Sequence, residues 1–228
     1  MTETKVTLAR RALKSPRSAA IAGIVFAVLY GASLVLIRLS IPADITSDIT
    51  WLETNKGTIS AALFLVPYAG IAFLWFIGVI RDLFGELEDR LFATVFLGSG
   101  LLFLATTFVG AALAGGLISG FEATPGTIVD SGVFTYGREV MYRIINVYSF
   151  RMAGVFMISL GTIWYRTGLM HRGWAVLTYA LALVLLLSIG YSLWVTLIFP
   201  GWVFAVSMYI LIRNLRHQSQ VPVSDKQG

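Results

Sequence analysis

The chain has 228 residues, of which 57% are apolar and 13% charged, and its mean hydropathy is +0.80. Soluble domains carry about 25% charged residues, so this composition excludes a water-soluble fold and intrinsic disorder. The lack of cysteine excludes disulfides, thiol catalysis and thiolate metal ligands. The net charge of +5 comes from basic residues beside apolar runs. That pattern indicates that the basic residues contact a membrane surface. We expect no nucleic acid as a partner.

Long apolar stretches define the predicted fold. Crossing about 30 Å of hydrocarbon takes roughly 20 apolar residues. The sequence therefore predicts an all-α polytopic membrane bundle of six transmembrane helices, at 19–39, 58–80, 91–117, 144–165, 174–189 and 193–212. Residues 1–18 form a basic arm before these spans, and residues 213–228 form a tail after them.

The last two spans form one apolar run of roughly 40 residues, which is twice the thickness of a bilayer at 1.5 Å per residue. The run must therefore fold back. We expect a hairpin at 190–192, because a turn at Pro200 and Gly201 leaves too few residues for the final crossing. Pro200, and Pro67 in the second span, are then expected to kink their helices.

The distribution of lysine and arginine predicts the orientation. Basic residues are retained on the cytoplasmic side of a membrane protein. With six crossings, the side of both termini receives the basic arm, two loops and the tail, whereas the other side receives only Lys56, Arg138 and Arg143. Both termini are therefore predicted to be cytoplasmic. We expect the basic arm to contact anionic lipid headgroups.

Small residues recur every four positions on two of the predicted spans. Such residues let helix backbones approach closely in lipid, where helices do not gain from expelling water. We expect helix packing at both stripes, against another helix of the same chain, a second copy or another membrane protein. The first stripe is Gly23, Ala27 and Gly31, and the second is Ala112, Gly116 and Gly120.

The groups that intramembrane enzymes use are missing from the predicted spans. No Asp, Glu, His or Lys occurs in them, although proton relays and general acids or bases need such residues. His171 and His217 lie outside the spans, and neither has a second histidine or cysteine at metal-ligand spacing. The sequence therefore predicts no catalytic residue, no cofactor and no metal site.

Arg151 is the most unusual residue inside a predicted span. With Tyr165 at the inner boundary, it is expected about 20 Å from that side, where arginine costs roughly 2.5 to 3.5 kcal/mol on an insertion scale. It needs an acid or carbonyl from another outer segment, which we favour, or an anionic headgroup or solute. Its predicted companions in a candidate polar site are Glu139, Tyr142, Arg143 and Asn146 on one helical face, and Arg38 at the end of the first span.

Two connecting segments carry further expectations. Residues Gly120 to Gly137 contain Pro125 and several glycines, which predicts a long external loop and a candidate lid, or an ordinary connection. The loop at 81–90 is acidic on the predicted cytoplasmic side. We expect it to pair with the basic arm, with nearby arginines or with a partner protein.

Three stretches of the sequence are RDLFGELEDRLFATVFLGSGLLF, NVYSFRMAGVFMISLGTIWYRTGLMHRGWAVLTYALALVLLL and FPGWVFAVSMYILI. They cover about a third of the chain and resemble a group of bacterial six-span integral membrane proteins of uncharacterised function. The resemblance implies a multi-pass fold and location in the bacterial plasma (inner) membrane. It provides no catalytic residues to carry over.

These expectations lead to two classes of function. The first is a non-enzymatic accessory or interaction protein of the plasma membrane. The alternative is a small transporter or channel that binds an anionic solute or lipid headgroup near Arg151. A water-accessible cavity that reaches Arg151 favours transport, whereas a tightly filled interior favours the accessory role.

Overall fold

The computed structural model describes residues 16–41, 50–84, 90–168, 170–188 and 193–219. Within these ranges the chain forms helices and no strand, which confirms the prediction of an all-α fold. Five helical stretches are long and apolar enough to cross a membrane: Arg17–Ser40, Trp51–Arg81, Leu91–Ala123, Val133–Thr167 and Trp194–Arg213. A shorter apolar helix covers Arg172–Leu187.

The helices are named in chain order. They are α1 (Pro16–Ser40), α2 (Thr50–Phe84), α3 (Arg90–Ala123), α4 (Pro125–Asp130), α5 (Val133–Tyr142), a π-helix (Arg143–Ser149), α6 (Phe150–Thr167), α7 (Arg172–Ser188), a 3-10 helix (Leu193–Leu197) and α8 (Ile198–Ser219). Most of the basic arm, the centre of the acidic loop and the expected hairpin at 190–192 lie outside the described residues.

Helices replace the long loop that the sequence predicts. α2 begins at Thr50 and α3 continues to Ala123, so both extend beyond the predicted spans. Pro125 opens α4, where the missing N–H of proline costs no helical hydrogen bond. Gly132 precedes α5 with a φ of 74°, which glycine adopts without steric cost. The loop prediction was wrong because proline and glycine mark the junctions between short helices in this segment.

Successive long helices pack antiparallel. Phe26 and Ser33 of α1 contact Phe73 and Ala62 of α2, respectively, so the two helices run in opposite directions. α1 and α8 also run in opposite directions, because Gly23 faces Ser207 whereas Gly31 shares a groove with Pro200. The start of α1 and the end of α8 therefore lie at the same end of the bundle. We call the opposite end, which carries α4 and α5, the distal end.

α6 and α7 form a tight antiparallel pair. Gly168 adopts a φ of 65° and donates its N–H to the carbonyl of Trp164, which ends α6. The chain then returns along α6, with Gly161 beside Thr178 and Gly154 beside Leu186. α7 therefore follows α6 over nearly its whole length, although it has only 17 residues.

Aromatic rings fill the centre of the bundle. Five phenylalanines, each from a different helix, are at most 1% exposed, and their ring centroids lie 4.6 to 6.4 Å apart where they contact. Edge-to-face and tilted geometries dominate, as expected for ring quadrupoles. The rings belong to Phe26, Phe73, Phe103, Phe156 and Phe199. The helices are thus held by close contact between side chains at the middle of the bundle.

The predicted packing stripes and prolines have different surroundings. Gly23 is buried, and an added Cβ there would collide with Ser207 and Phe76, whereas a Cβ at Gly116 would meet open space. Ala112 is exposed on the same helix as Gly116.

Pro67 lies inside α2 with its side chain exposed. Pro200 lies in the first turn of α8, where the 3-10 helix gives way to the α-helix.

The two glycines make a matched pair for testing this packing. We expect Gly23→Val to lower the free energy of unfolding by about 1 to 3 kcal/mol, because the branched side chain overpacks the contact of α1 with α2 and α8. Gly116→Val should change it by less than about 0.5 kcal/mol. Thermal unfolding in a mild detergent measures both. Equal destabilisation by the two variants would contradict the packing of α1.

Candidate functional site

The distal half of the bundle contains a π-helix whose inner side is polar. Its only buried residues within Arg143–Ser149 are Asn146 and Ser149, which are 5% and 0% exposed, while Tyr148 faces outward. A segment in lipid turns its polar groups towards other protein groups, since hydrocarbon offers them no partner. π-helices are rare and occur frequently at functional sites. This segment therefore marks the candidate site.

Side-chain hydroxyls from three parts of the bundle form a chain of hydrogen bonds there. Ser149 Oγ and Thr107 Oγ1 of α3 lie 2.7 Å apart, and Ser149 also donates to the carbonyl of Phe103 at 3.2 Å. The Tyr30 hydroxyl of α1 bonds to Thr107. In this chain Tyr30 donates to Thr107, Thr107 donates to Ser149, and Ser149 donates to the carbonyl. Each hydroxyl therefore has a hydrogen-bond partner. This chain joins α1, α3 and the π-helix inside the bundle.

Two further polar groups near this chain are only partly satisfied. Asn146 donates through Nδ2 to the carbonyl of Tyr142 at 3.0 Å, but its buried Oδ1 has no hydrogen-bond partner among the described residues. The buried Nε of Arg38 also has none within that part of the chain. Tyr30 and Tyr142 lie near the Arg38 guanidinium. An unpaired donor and an unpaired acceptor are thus held in the same region.

The distal polar cluster is defined by these side chains: Tyr30, Arg38, Thr107, Tyr142, Asn146 and Ser149. Three of its members, Arg38, Tyr142 and Asn146, are among the residues predicted from sequence. Arg38 is half-buried at the end of α1, and Tyr142 is exposed at the edge of the cluster. The cluster combines one cation with neutral hydroxyl and amide groups. Such a set binds anions or holds helices together, and it offers no general base.

Arg151 lies apart from this cluster. Its side chain is exposed on the outside of the bundle, and no hydrogen bond or ion pair to another described residue involves it. The buried residues around it, Phe150 and Ala153, take the inner face of α6. Arg151 therefore faces the surroundings of the bundle, where a long side chain can extend towards the headgroup region.

The other predicted members also lie outside the cluster. Arg143 and Glu139 are exposed. Glu139 contacts Arg138 at 3.4 Å, and Glu122 pairs with Lys56 of α2 at 3.2 Å. Glu139 and Glu122 are thus engaged by other cations. Their side chains are half-exposed, so each pair contributes at most about 1 kcal/mol.

Sequence reasoning missed Tyr30 and Thr107. Both lie in strongly apolar stretches, where one hydroxyl among many aliphatic residues gives little signal. The available hint was that a buried tyrosine or threonine in lipid needs a partner for its hydroxyl. Choosing that partner requires knowing which helices are neighbours. The contact between α1 and α3 at this level is a property of the tertiary fold.

Among the described residues, no group of three or more His, Cys, Asp or Glu side chains lies close enough together to hold a metal ion. The buried polar side chains described are serines, threonines and one asparagine. Comparison of the chain with protein-family models, with curated proteins and with solved structures gives no match.

The hydroxyl chain makes a prediction about stability. We expect Thr107→Val to lower the free energy of unfolding by about 1 kcal/mol, because the isosteric change leaves Ser149 and Tyr30 without their bonding partner. Thr106→Val is the control on the same helix, since the Thr106 hydroxyl bonds only to carbonyls of its own helix. Unfolding in mixed detergent micelles measures the difference. No difference between the variants would mean that the chain does not stabilise the bundle.

Proposed function

We propose that this chain is a six-span integral membrane protein of a bacterial plasma membrane, with both termini in the cytoplasm. The sixth crossing in this proposal is α7. It has 17 residues, which at 1.5 Å per residue gives about 25 Å. A thin or locally thinned bilayer accommodates that length. The pairing of α7 along α6, from Gly161 to Gly154, supports the crossing because α6 belongs to a stretch long enough to span.

Charge supports the orientation. Arg166 and Arg172 flank the turn between α6 and α7, which lies at the end of the bundle opposite the distal end. Arg213 lies near the end of α8, at the same end of the bundle. Lys56 and Arg138 lie at the distal end, and each is paired with a carboxylate there. The basic residues Arg166, Arg172 and Arg213 thus lie at one end of the bundle, which the positive-inside rule assigns to the cytoplasm.

Cysteine labelling tests this topology without removing any native cysteine, since the chain has none. In spheroplasts, an impermeant maleimide should label Ser131→Cys, between α4 and α5, whereas Ser224→Cys in the tail should react only after permeabilisation. If α7 does not cross, the distal end and the tail lie on the same side. Labelling of both positions in intact spheroplasts would overturn the six-span arrangement.

The activity we propose is that of a non-enzymatic accessory or interaction protein. The observation that carries this proposal is the ring-filled centre of the bundle, where phenylalanines from five helices contact one another. Such a core leaves little room for a solute path along the bundle axis. The buried hydroxyls and the amide among the described residues suit helix association more than proton transfer.

The exposed face around Ala112 and Gly116 on α3 is the surface we assign to association with a second copy or another membrane protein. Small residues there allow close approach of a neighbouring helix. The Gly116→Val variant separates this role from folding, because it should leave the monomer stable while weakening association in mild detergent. Unchanged association would remove this surface from the proposal.

One observation favours the alternative, a small transporter or channel for an anion. Arg38 keeps a buried Nε without a partner among the described residues, and Asn146 keeps a buried Oδ1 without one. In this alternative the anion-binding group is Arg38, which is half-buried, because Arg151 faces outward.

Flux measurements separate the two functions. Proteoliposomes that contain the wild-type protein should take up chloride or phosphate no faster than empty liposomes, because the aromatic centre obstructs the axis of the bundle. Uptake several-fold above that of empty liposomes, lost in Arg38→Gln and retained in Arg151→Gln, would replace the accessory role with transport.

A further inference from the structure

The distal end contains an apolar cavity of about 100 Å³ between α1, α2, α3 and α5. Aliphatic and aromatic side chains from all four helices line it, among them Ile37, Leu52, Ala114 and Phe134. An engineered cavity of about 150 Å³ with a similar lining stays dry and binds benzene. The cavity thus matches the end of one hydrocarbon chain and is too small for a whole lipid.

The cavity has one charged side chain in its lining, Arg138 of α5. Met141 and Ile145 follow it on the same side of α5 and the π-helix and complete the apolar wall. A single cation beside an otherwise apolar cavity is the pattern of a site for an amphiphile, in which a polar group fixes the orientation of an apolar ligand.

The charges around the cavity favour an anion. Three cations lie in or beside its walls. Lys56 is neutralised by Glu122 at 3.2 Å, and Arg138 has Glu139 at 3.4 Å. Arg38, between the lining residues Ile37 and Ile41, has no carboxylate partner in the described ranges. Arg138 in the lining and Arg38 beside it are thus the cations that an acidic headgroup at this cavity can contact.

We infer that the distal cavity binds the acyl chain of an anionic amphiphile, with its carboxylate or phosphate on Arg138 and its hydrocarbon end between Ile59 and Ala114. The inference rests on the proposed insertion of the bundle in a membrane, because the distal end then lies at the boundary between headgroups and acyl chains.

Photolabelling of the purified full chain in a neutral detergent tests the site. The probe is octanoic acid with a diazirine near its methyl end. We expect it to label the wild-type protein within 59–63 of α2 and 114–118 of α3, which hold lining residues. Its methyl ester should bind about tenfold more weakly, since it lacks the charge that Arg138 recognises. A phosphatidylglycerol with the same labelled chain reports whether a bilayer lipid enters as well as a free fatty acid.

Matched variants test the charged part and the apolar part of the site separately. Arg138→Gln should weaken binding of the probe about tenfold, whereas Arg143→Gln, an exposed arginine outside the lining, should leave it within about twofold. Ala114→Phe should plug the cavity and abolish labelling, and Ala105→Phe, at an exposed position of the same helix, should not. Ala114→Leu is the milder plug if the phenylalanine variant does not fold.

Three outcomes would overturn the inference. They are labelling confined to lipid-facing surfaces, equal labelling of wild type and Ala114→Leu, and equal affinity for the acid and its methyl ester. Competition by inorganic phosphate alone would also overturn it, because it would show that the acyl chain contributes nothing. The cysteine-labelling experiment judges membrane topology separately, so an empty cavity and a wrong topology are distinguishable results.

Discussion

Hydrocarbon offers no hydrogen-bond partner to a peptide group, and this constraint governs the architecture of the chain. Every N–H and carbonyl inside a bilayer must be satisfied within the protein, which helices do within each segment. The described residues accordingly stay helical even through Pro67 and through the glycines of α3. The same constraint turns Asn146 and Ser149 inward, while Tyr148 faces out.

The constraint explains the secondary structure, but it does not bring helices together. Lipid tails are as apolar as leucine, so association depends on the quality of contact between surfaces. In this bundle, glycines on one helix accommodate large side chains of the next. Gly100 receives Ile77 and Phe156, and Gly110 receives Ile145. The phenylalanine cluster then occupies the space where the helices meet. Glycine positions and ring positions are thus two parts of one packing arrangement.

α5 and the π-helix present two sides to the distal end. One side, with Arg138 and Met141, lines the apolar cavity, and the other, with Asn146 and Ser149, meets the hydroxyl chain from α1 and α3. A small rotation of this segment changes both sides at once. One segment thus contributes both to the cavity wall and to the polar cluster.

Part of the candidate site was readable in the sequence. The polar face with Tyr142 and Asn146 follows from helical spacing, and Arg38 stands out as a cation at the end of an apolar span. The emphasis on Arg151 came from depth alone, because depth decides the cost of a buried charge. The depth of a residue in the membrane does not determine whether its side chain faces into or out of the bundle. The rotation of α6 turns Arg151 outward and Phe150 inward.

Composition and apolar length by themselves determined that the chain is helical and suited to a membrane, because those properties depend on the solvent and on 1.5 Å of rise per residue. The four-residue spacing of small residues predicted both Gly23 and Gly116 as helix-packing positions. Only the tertiary structure decided that Gly23 lies against Ser207 while Gly116 faces open space. It also decided that Thr107 meets Ser149 and that Arg138 borders a cavity. Contacts between helices depend on how each helix is rotated about its axis, and that rotation is set jointly by all its neighbours.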